Sequence, residues 1–369
     1  MRIAYILTTL GVGGAEMQTV ALAERMAARG HAVALISLTH AEEECSAHLP
    51  ILRLNMAKTP FGIMRGLQFA DKFMTLFRPD ILHSHTYPAN IFGRLLRIFT
   101  IRRQGRAAVI NTIHNVYEGG WHRKLIYRVT APLAVCVTAV STAAAESYPA
   151  ARREVRVVTN GVDVEAFSPD KSRRRRVRAN MQTGNRFIWL AVGRLAPAKD
   201  YPNLLRAWAQ VHSAHPEARL WIAGEGEIAD VITQDDVMDL AAGYNSGVEW
   251  LGLRRDVADL LDAADGYVLS SAWEGMPLAV GEAMAMQKLV VATDVGGVSE
   301  LGGDEAFIVP AHDSAALASE MLRVMAMEEF ERRTIGKRAR GRMEDNFSMD
   351  AKADEWELVY EEVSRLVAE

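Results

Sequence analysis

Short runs of β-branched residues alternate with amphipathic stretches along almost the whole chain, and this alternation constrains the fold more than any other feature. The pattern is typical of parallel β-sheets whose strands are connected by helices. At 369 residues the chain is too long for one hydrophobic core. The alternation restarts after a turn signal at 160–163. We therefore predict two similar α/β halves with a cleft between them.

The alternation predicts the elements of each half. In the first half we expect strands at 2–8, 31–38, 51–54, 80–84, 107–113, 134–140 and 155–158, and helices at 15–29, 61–77, 88–100, 120–130 and 142–147. In the second half we expect strands at 187–192, 219–223, 248–251, 266–269, 288–292 and 306–309, and helices at 201–213, 228–241, 255–263, 277–286, 313–327, 329–344 and 350–367. The apolar stripe Trp356, Tyr360 and Val363 should dock the last helix.

The composition argues against several classes of protein. No apolar run approaches the roughly 20 residues of a membrane span. The apolar N-terminal stretch runs into the glycines at 11–14 without a cleavage pattern, so we interpret it as a first strand rather than a signal peptide. Cys45 and Cys136 are the two cysteines, which favours a reducing cytoplasm over a disulfide framework.

Charge is distributed unevenly along the chain. Residues 1–165 contain 19 Lys and Arg against 12 Asp and Glu, whereas residues 186–369 contain 17 against 33. Either the first half meets something anionic, or this is ordinary variation between domains. The basic run at 171–178 is interpreted as a solvated first helix of the second domain. We do not expect nucleic-acid binding, because no aromatic residues are interleaved with the run.

A glycine-rich turn at 11–14 follows the first predicted strand and opens the first helix. Gly13 and Gly14 would let the backbone approach a ligand, and a helix N-terminus offers free N–H groups to a phosphate. A dinucleotide site is the obvious alternative. However, the strand ending at 35–40 lacks the acidic residue that would bind an adenosine ribose.

Three histidines end two predicted strands of the first half. His83 and His85 end one strand, and His114 follows another. We do not predict a metal site, because no acidic partner lies at ligand spacing. We expect His83 to be structural and His114 to donate or accept a hydrogen bond at a sugar hydroxyl.

Two cations follow the first predicted strand of the second half. Gly193 forms a turn, Arg194 comes directly after it, and Lys199 follows shortly downstream. Cations at the carboxyl end of a strand can neutralise a diphosphate leaving group. These residues could also be surface cations.

Two glutamates lie eight positions apart across a predicted loop-to-helix junction. Pro277 suits the first helical position, which leaves Glu274 in the loop and Glu282 on the second turn. Their carboxylates can accept from sugar or ribose hydroxyls, and the backbone of Met276, Pro277 and Leu278 suits a phosphate or a sugar. With the upstream cations, this is the composition of a nucleotide-sugar site.

These segments, in this order, resemble retaining glycosyltransferase family 4, whose members have the GT-B fold. The resemblance covers almost the whole chain and is carried by Gly-Gly-Ala-Glu at 13–16, Asn-Gly-Val-Asp at 160–163 and the Glu-x7-Glu motif at 274–282. It implies two Rossmann-like domains, an acceptor-binding one at 1–165 and a donor-binding one at 166–348. A final helix at 349–369 would cross back onto the first domain.

The resemblance also implies roles for the matching residues. Glu274 would contact the donor sugar and Glu282 the nucleotide ribose, while Arg194 and Lys199 would bind the diphosphate. The matching residues of the first domain are Gly13 and Gly14 near the phosphate and His114 in the cleft.

The implied reaction transfers a sugar from a nucleotide donor, more often a uridine than a guanosine donor in this family, with retention of configuration. It implies no metal and no other cofactor. The donor phosphate would act as the acid–base partner.

Two segments combine arginines with apolar bulk, at 88–106 and 121–128. Basic amphipathic helices of this kind can rest on an anionic membrane surface. Alternatively, the apolar residues face the sheet and the arginines face water. The first interpretation predicts peripheral binding at the inner face of the plasma membrane and a lipid-linked glycan acceptor in surface polysaccharide assembly.

One departure from the family pattern and two rival functions remain open. The chain has Gln287-Lys288 where the family usually has a glycine that stops the helix, which should cost a little stability. A sugar-nucleotide epimerase of the same fold would need a further acid–base set. The intact Glu274, Arg194 and Lys199 argue against a non-catalytic relative that binds a nucleotide sugar or scaffolds a complex.

Overall fold

The structure, a computed structural model, describes residues 1–11, 13–41, 48–100, 107–117, 119–148, 154–224 and 247–368. This part of the chain divides into two compact units. The first comprises Met1–Gly161 with Met349–Glu369, and the second comprises Val162–Ser348. The first unit thus ends at 161 rather than at the predicted 165. The helix predicted at 228–241 lies outside the described residues.

The first unit is built on a parallel sheet of seven strands in the order β3-β2-β1-β4-β5-β6-β7. Its strands are β1 (Arg2–Leu7), β2 (Ala32–Ser37), β3 (Ile51–Arg53), β4 (Ile81–His85), β5 (Ala108–Ile113), β6 (Cys136–Ala139) and β7 (Arg156–Val157). Every pair of neighbouring strands is parallel. The predicted α/β fold is therefore confirmed for this unit.

Helices connect the strands of the first unit and cover both faces of its sheet. They are α1 (Gly14–Ala28), α2 (Pro60–Phe77), α3 (Tyr87–Thr100), α4 (Trp121–Thr130) and α5 (Thr142–Glu146), with a 3-10 turn at Ala131–Leu133. Residues at the start of each helix determine where that helix begins. In α2, for example, Pro60 takes the first helical position and the Thr59 side chain accepts from the N–H of Gly62.

The last helix of the chain belongs to the first unit. This helix, α13 (Met349–Ala368), packs against α1 and closes one face of the sheet. The predicted stripe Trp356, Tyr360 and Val363 is confirmed as buried, with exposures of 3%, 0% and 3%. Arg29 at the end of α1 holds the same helix by its ion pair with Glu357 at 2.8 Å.

The second unit repeats the architecture with six parallel strands in the order β10-β9-β8-β11-β12-β13. Its strands are β8 (Ile188–Val192), β9 (Arg219–Ala223), β10 (Val248–Gly252), β11 (Gly266–Leu269), β12 (Leu289–Thr293) and β13 (Ala306–Val309). All six predicted strands agree with these bounds to within one residue at each end, and three of them agree to the residue. The fold class is confirmed here too.

The helices of the second unit follow the prediction with small differences. They are α6 (Lys171–Asn180), α7 (Tyr201–Ala214), α8 (Val257–Ala263), α9 (Leu278–Ala285), α10 (Val298–Gly302), α11 (Ser314–Ala326) and α12 (Glu329–Asn346), with 3-10 turns at Pro197–Lys199 and Gly303–Glu305. Pro277 is the N-cap of α9, with extended backbone, so the prediction that it is the first helical residue was wrong. The short helix α10 was not predicted.

The basic run forms a helix as predicted, but the prediction that it is solvated was wrong for three of its arginines. Arg174 donates to the carbonyl oxygens of residues 262–264 at the end of α8. Arg173 pairs with the buried Asp262, and Arg178 pairs with Asp265 at 3.1 Å. These arginines therefore neutralise the C-terminal end of α8 and its neighbouring carboxylates.

The prediction that 88–106 forms a basic surface for a membrane was wrong for α3, and 101–106 lies outside the described residues. Arg94 has no exposed surface. Its guanidinium donates to the side chains of Asn111 at 2.6 Å and Tyr148 at 2.8 Å, and to the carbonyl oxygen of Tyr127. A buried charge with this many partners holds α3 and α4 to the sheet.

Candidate functional site

The strand order of the second unit places the predicted cations and the first glutamate side by side. The chain order of strands reverses direction between β8 and β11, which are neighbours. Lys199 follows β8, and Glu274 follows β11. Ligands of open α/β sheets bind beyond the carboxyl ends of the strands at such a point.

Glu274 is held in place by two neighbours that bind the same carboxylate oxygen. Lys199 Nζ lies 2.6 Å from Oε1 of Glu274, and Ser271 Oγ donates to the same oxygen at 2.7 Å. Both members of the ion pair are largely buried, with exposures of 21% and 15%. Within the described residues Oε2 of Glu274 makes no hydrogen bond, so it is available to a ligand.

Small residues and a tyrosine shape the loop that carries Lys199. A Cβ at Gly193 would lie 2.7 Å from Cε of Lys199, so glycine there gives the lysine room to reach Glu274. Tyr201 donates to the carbonyl oxygen of Gly193 at 2.6 Å. A Cβ at Gly224, where φ is +147°, would lie 2.0 Å from that same oxygen.

The loop that carries Glu274 rests on a glycine turn at Gly296 and Gly297. Gly297 donates its N–H to the carbonyl oxygen of Gly275 at 2.7 Å. A Cβ at Gly296, where φ is +57°, would lie 2.3 Å from the carbonyl oxygen of Glu274. Met276 and Pro277 are buried, while Leu278 is half-buried at the start of α9. The sequence therefore brings the 274–278 segment and the 296–297 turn together.

Glu282 is a carboxylate without a partner among the residues that the structure describes. It lies on the second turn of α9 and makes no hydrogen bond or ion pair within the described residues. Although part of its surface remains exposed, desolvation by the surrounding protein raises its pKa to about 7. Such a group can accept hydrogen bonds from two hydroxyls of a ligand.

Arg194 does not join this group. Its side chain is exposed and forms no ion pair with another described residue. The structure thus contains the Lys199–Glu274 pair, whereas the diphosphate role of Arg194 stays a prediction.

In the first unit, the predicted residues follow the neighbouring strands β1, β4 and β5. Gly13 is the N-cap of α1 and Gly14 its first residue. A Cβ at Gly13 would lie 2.4 Å from Oε2 of Glu16, so a side chain fits there only if Glu16 moves. Among the described residues no side chain caps this helix end, and the N-terminus of a helix offers backbone N–H groups to a ligand.

The three histidines form one cluster. His83 lies fully buried, with Nδ1 at 2.8 Å from the hydroxyl of Tyr360 and Nε2 at 2.7 Å from that of Thr112. It is therefore the structural residue that we predicted. His85 Nδ1 lies 2.9 Å from Nε2 of His114. Desolvation lowers the pKa of His114 to about 4. Desolvation, followed by the repulsion that a protonated His85 would meet from the imidazoles of His83 and His114, lowers the pKa of His85 well below its usual value.

Sequence reasoning missed several residues that position this chemistry. Ser271 and Tyr201 hold Glu274 and the Gly193 turn, and Gly224 permits their close approach. Ser271 could have been predicted from the sequence, because Ser270 and Ser271 follow the apolar strand β11. Polar residues at the carboxyl end of a buried strand seldom contribute to core packing. Neither Tyr201 nor Gly224 gives a comparable signal.

The described residues contain neither a metal-binding cluster nor a membrane-spanning helix. Within them, no cluster of three or more His, Cys, Asp or Glu side chains is arranged to hold a metal ion. No helix in the described ranges has the length and apolar character needed to cross a membrane.

Two Rossmann-like units, the second with an ion-paired glutamate at its strand-order reversal, define a glycosyltransferase of the GT-B fold. A family model described as Glycosyltransferase Family 4 matches residues 12–166, and one described as Glycosyl transferases group 1 matches residues 186–327. The chain belongs to glycosyltransferase family 4.

Several characterised proteins are similar to this chain. An Escherichia coli UDP-Gal:α-D-GlcNAc-diphosphoundecaprenol α-1,3-galactosyltransferase is 25% identical over 314 residues, covering 80% of this chain and 79% of that protein. The lipopolysaccharide core mannosyltransferase LpsB of Rhizobium meliloti is 27% identical over 256 residues, covering 67% and 69%. Anabaena HepE, solved with UDP and glucose, superposes with a TM-score of 0.83 at 21% identity, covering 98% of this chain and 100% of that one.

Proposed function

We propose that this glycosyltransferase moves a sugar from a nucleotide-sugar donor, a UDP-sugar, to a hydroxyl of a lipid-linked saccharide in surface polysaccharide biosynthesis, with retention of configuration. The observation that carries the proposal is the largely buried Lys199–Glu274 pair at the strand-order reversal of the second unit.

The pair suits a donor that has a sugar next to a diphosphate. Oε2 of Glu274 accepts from a sugar hydroxyl, while Lys199 fixes Oε1 and adds positive charge where the leaving diphosphate develops negative charge. Glu282 accepts from the ribose hydroxyls, since it is a carboxylate without a protein partner in the described chain. Arg194 swings to the diphosphate from its exposed position.

The proposed reaction needs no metal and no covalent intermediate. The bond from the anomeric carbon to the diphosphate oxygen breaks, and the acceptor oxygen bonds to the same face of that carbon. The acceptor's hydroxyl proton passes to the departing diphosphate oxygen. Lys199 and Arg194 supply the charge stabilisation.

The uridine donor and lipid-linked acceptor are supported by relatives and by the surface of α4. The E. coli relative is named for a UDP-galactose donor and a diphosphoundecaprenol-linked acceptor. On α4, Trp121, Leu125 and Val129 are 77%, 50% and 70% exposed at helical spacing, beside Arg123 and Lys124. This face is suited to an anionic lipid surface, which would bring a lipid-linked acceptor to the enzyme.

A panel of nucleotide sugars, incubated with and without lipid-linked oligosaccharide acceptors, tests the function. We expect one UDP-sugar to release UDP only when an acceptor is present, and the product's anomeric coupling to match the donor's. Epimer formation without an acceptor would identify the epimerase alternative. Binding without either product would identify the non-catalytic one. Glu274→Gln should slow release at least about tenfold, while Glu329→Gln, in an exposed pair with Arg333, is the matched control.

Co-sedimentation with vesicles tests the membrane part separately. The protein should bind vesicles rich in anionic lipid at low salt and release them at high salt. Changing Trp121 and Val129 to serine should weaken binding, whereas the same change at the exposed Phe330 of α12 should not. Equal binding to neutral vesicles, or no binding at low salt, would contradict this part of the proposal and leave the donor chemistry standing.

A further inference from the structure

The hydrogen bond between His85 and His114 determines which nitrogen of His114 faces a ligand. Desolvation lowers the pKa of both imidazoles below its usual value, so both rings are neutral near pH 7. Each neutral ring has one N–H and one bare nitrogen. Across the 2.9 Å contact between Nδ1 of His85 and Nε2 of His114, one nitrogen must therefore donate and the other accept.

The burial of the opposite edge of His85 favours one of the two arrangements. Nε2 of His85 is buried and has no hydrogen-bond partner among the described residues. If His114 donated, His85 would have its proton on Nε2, and a buried N–H would lack an acceptor. Orphaned buried N–H groups are rare and costly. If His85 donates from Nδ1, its Nε2 is a bare nitrogen and no N–H is orphaned.

We propose that His85 is a positioning residue that donates from Nδ1 to Nε2 of His114 and so fixes His114 as the tautomer with its proton on Nδ1. The accessible edge of His114 is then a hydrogen-bond donor. Nδ1 of His114 makes no hydrogen bond to another described residue, and its side chain is only partly buried.

The tautomer of His114 decides whether this residue acts as a general base or as a hydrogen-bond donor. That the ligand is a sugar rests on the proposed function. A neutral ring with a proton on Nδ1 and an occupied Nε2 has no lone pair for a ligand proton. His114 therefore cannot act as the general base for an acceptor hydroxyl. It binds a sugar oxygen by donating to it.

The surrounding aromatic cluster keeps His85 in the required orientation. The His85 ring lies 4.1 Å from that of His83, centroid to centroid, and its plane is stacked near Tyr5 at 6.0 Å. His83 is in turn held at both nitrogens by Tyr360 and Thr112. Rotation of the His85 ring would therefore disturb several packed rings.

NMR of the full-length protein labelled with [15N]histidine tests the tautomer without substrate. At pH 7 we expect two-bond correlations that identify Nδ1 of His114 as the protonated nitrogen and Nε2 as the bare one, with the signal assigned by its loss in His114→Asn. A His114 with its proton on Nε2, or an averaged mixture, would overturn the proposal. Neither outcome depends on transferase activity, so a failure here is distinct from a failure of the proposed function.

Two variants of His85 test whether this residue sets the tautomer of His114. In His85→Asn the amide nitrogen replaces Nδ1 as donor, and His114 should keep its tautomer. In His85→Phe, which fills the space without a donor, His114 should become a mixture. An unchanged His114 in His85→Phe would show that His85 does not set the tautomer.

An activity measurement then separates donation from general-base chemistry. The amide of His114→Asn can donate from the position of Nδ1, whereas that of His114→Gln reaches the position of Nε2. We expect His114→Asn to retain at least roughly fivefold more kcat/KM than His114→Gln, the effect of one hydrogen bond. Equal rates, or faster turnover by His114→Gln, would contradict the donor role.

Discussion

The unpartnered carboxylate of Glu282 predicts that donor binding depends on pH in the neutral range. Its pKa of about 7 means that the group is mainly protonated at pH 6 and mainly ionised at pH 8. Only the ionised form accepts hydrogen bonds from both hydroxyls of a ribose. A nucleotide-sugar diphosphate has no group that titrates between these values, so the enzyme supplies the pH dependence.

The magnitude follows from the ionised fraction. This fraction is about 0.09 at pH 6 and about 0.91 at pH 8 for a pKa near 7, and apparent affinity scales with it. The dissociation constant for the donor should therefore be roughly tenfold larger at pH 6 than at pH 8. Calorimetry with the intact nucleotide sugar measures this, and it should also show proton release on binding at pH 6.5.

Glu282→Gln is the decisive control. The amide keeps the size of the side chain but does not titrate, so donor affinity should be weak and independent of pH from 6 to 8. UDP is unsuitable as the ligand, because its terminal phosphate titrates near pH 6. A wild-type affinity that does not change with pH, or a Glu282→Gln variant that keeps the tenfold slope, would refute the assignment of Glu282.

Three further outcomes follow from the structure. Lys199→Met and Glu274→Gln should each slow turnover at least about tenfold, and the double variant should be little worse, because the two side chains act as one hydrogen-bonded pair. Gln287→Gly should stabilise the protein by about 1 kcal/mol in chemical denaturation, since Gln287 follows α9 with a left-handed φ of 59°. Arg94→Met should destabilise it by about 2–4 kcal/mol while leaving donor affinity unchanged, because it orphans the buried partners of the guanidinium; normal stability would contradict that account.

The fold could be predicted because its determinants are local and repeated. Strands such as β9 and β13 are apolar runs bounded by turns, and their predicted and observed bounds coincide. The final helix could be predicted because Trp356, Tyr360 and Val363 lie on one face. The departure at Gln287 was also visible, since a helix end that needs a left-handed residue usually has glycine.

Other features could not be predicted because they depend on distant partners. The arginines of α6 are bound to carboxylates and carbonyl oxygens nearly 90 positions away, so their local charge pattern favoured a solvated helix. Arg94 likewise finds its partners on β5 and just after α5, at Tyr148. In the site, the Glu274 motif was visible, but its pairing with Lys199 depends on the neighbouring positions of β8 and β11.

The two glutamates of the motif differ in how far the protein stabilises their negative charge. Glu274 is stabilised by Lys199 and Ser271, so the protein holds its charge before any ligand binds. Within the described part of the chain Glu282 has no such partner. Its pKa rises from 4.5 to about 7 on folding, so the protein loses stability as pH increases through that window, by up to about 3 kcal/mol at its upper end. A fold tolerates such a cost where a ligand compensates for it, because hydroxyl donors would lower the pKa and recover the lost free energy. The lack of protein hydrogen-bond donors makes the ionised carboxylate of Glu282 unfavourable for folding. The same lack therefore makes Glu282 selective for a ligand that has hydroxyl donors.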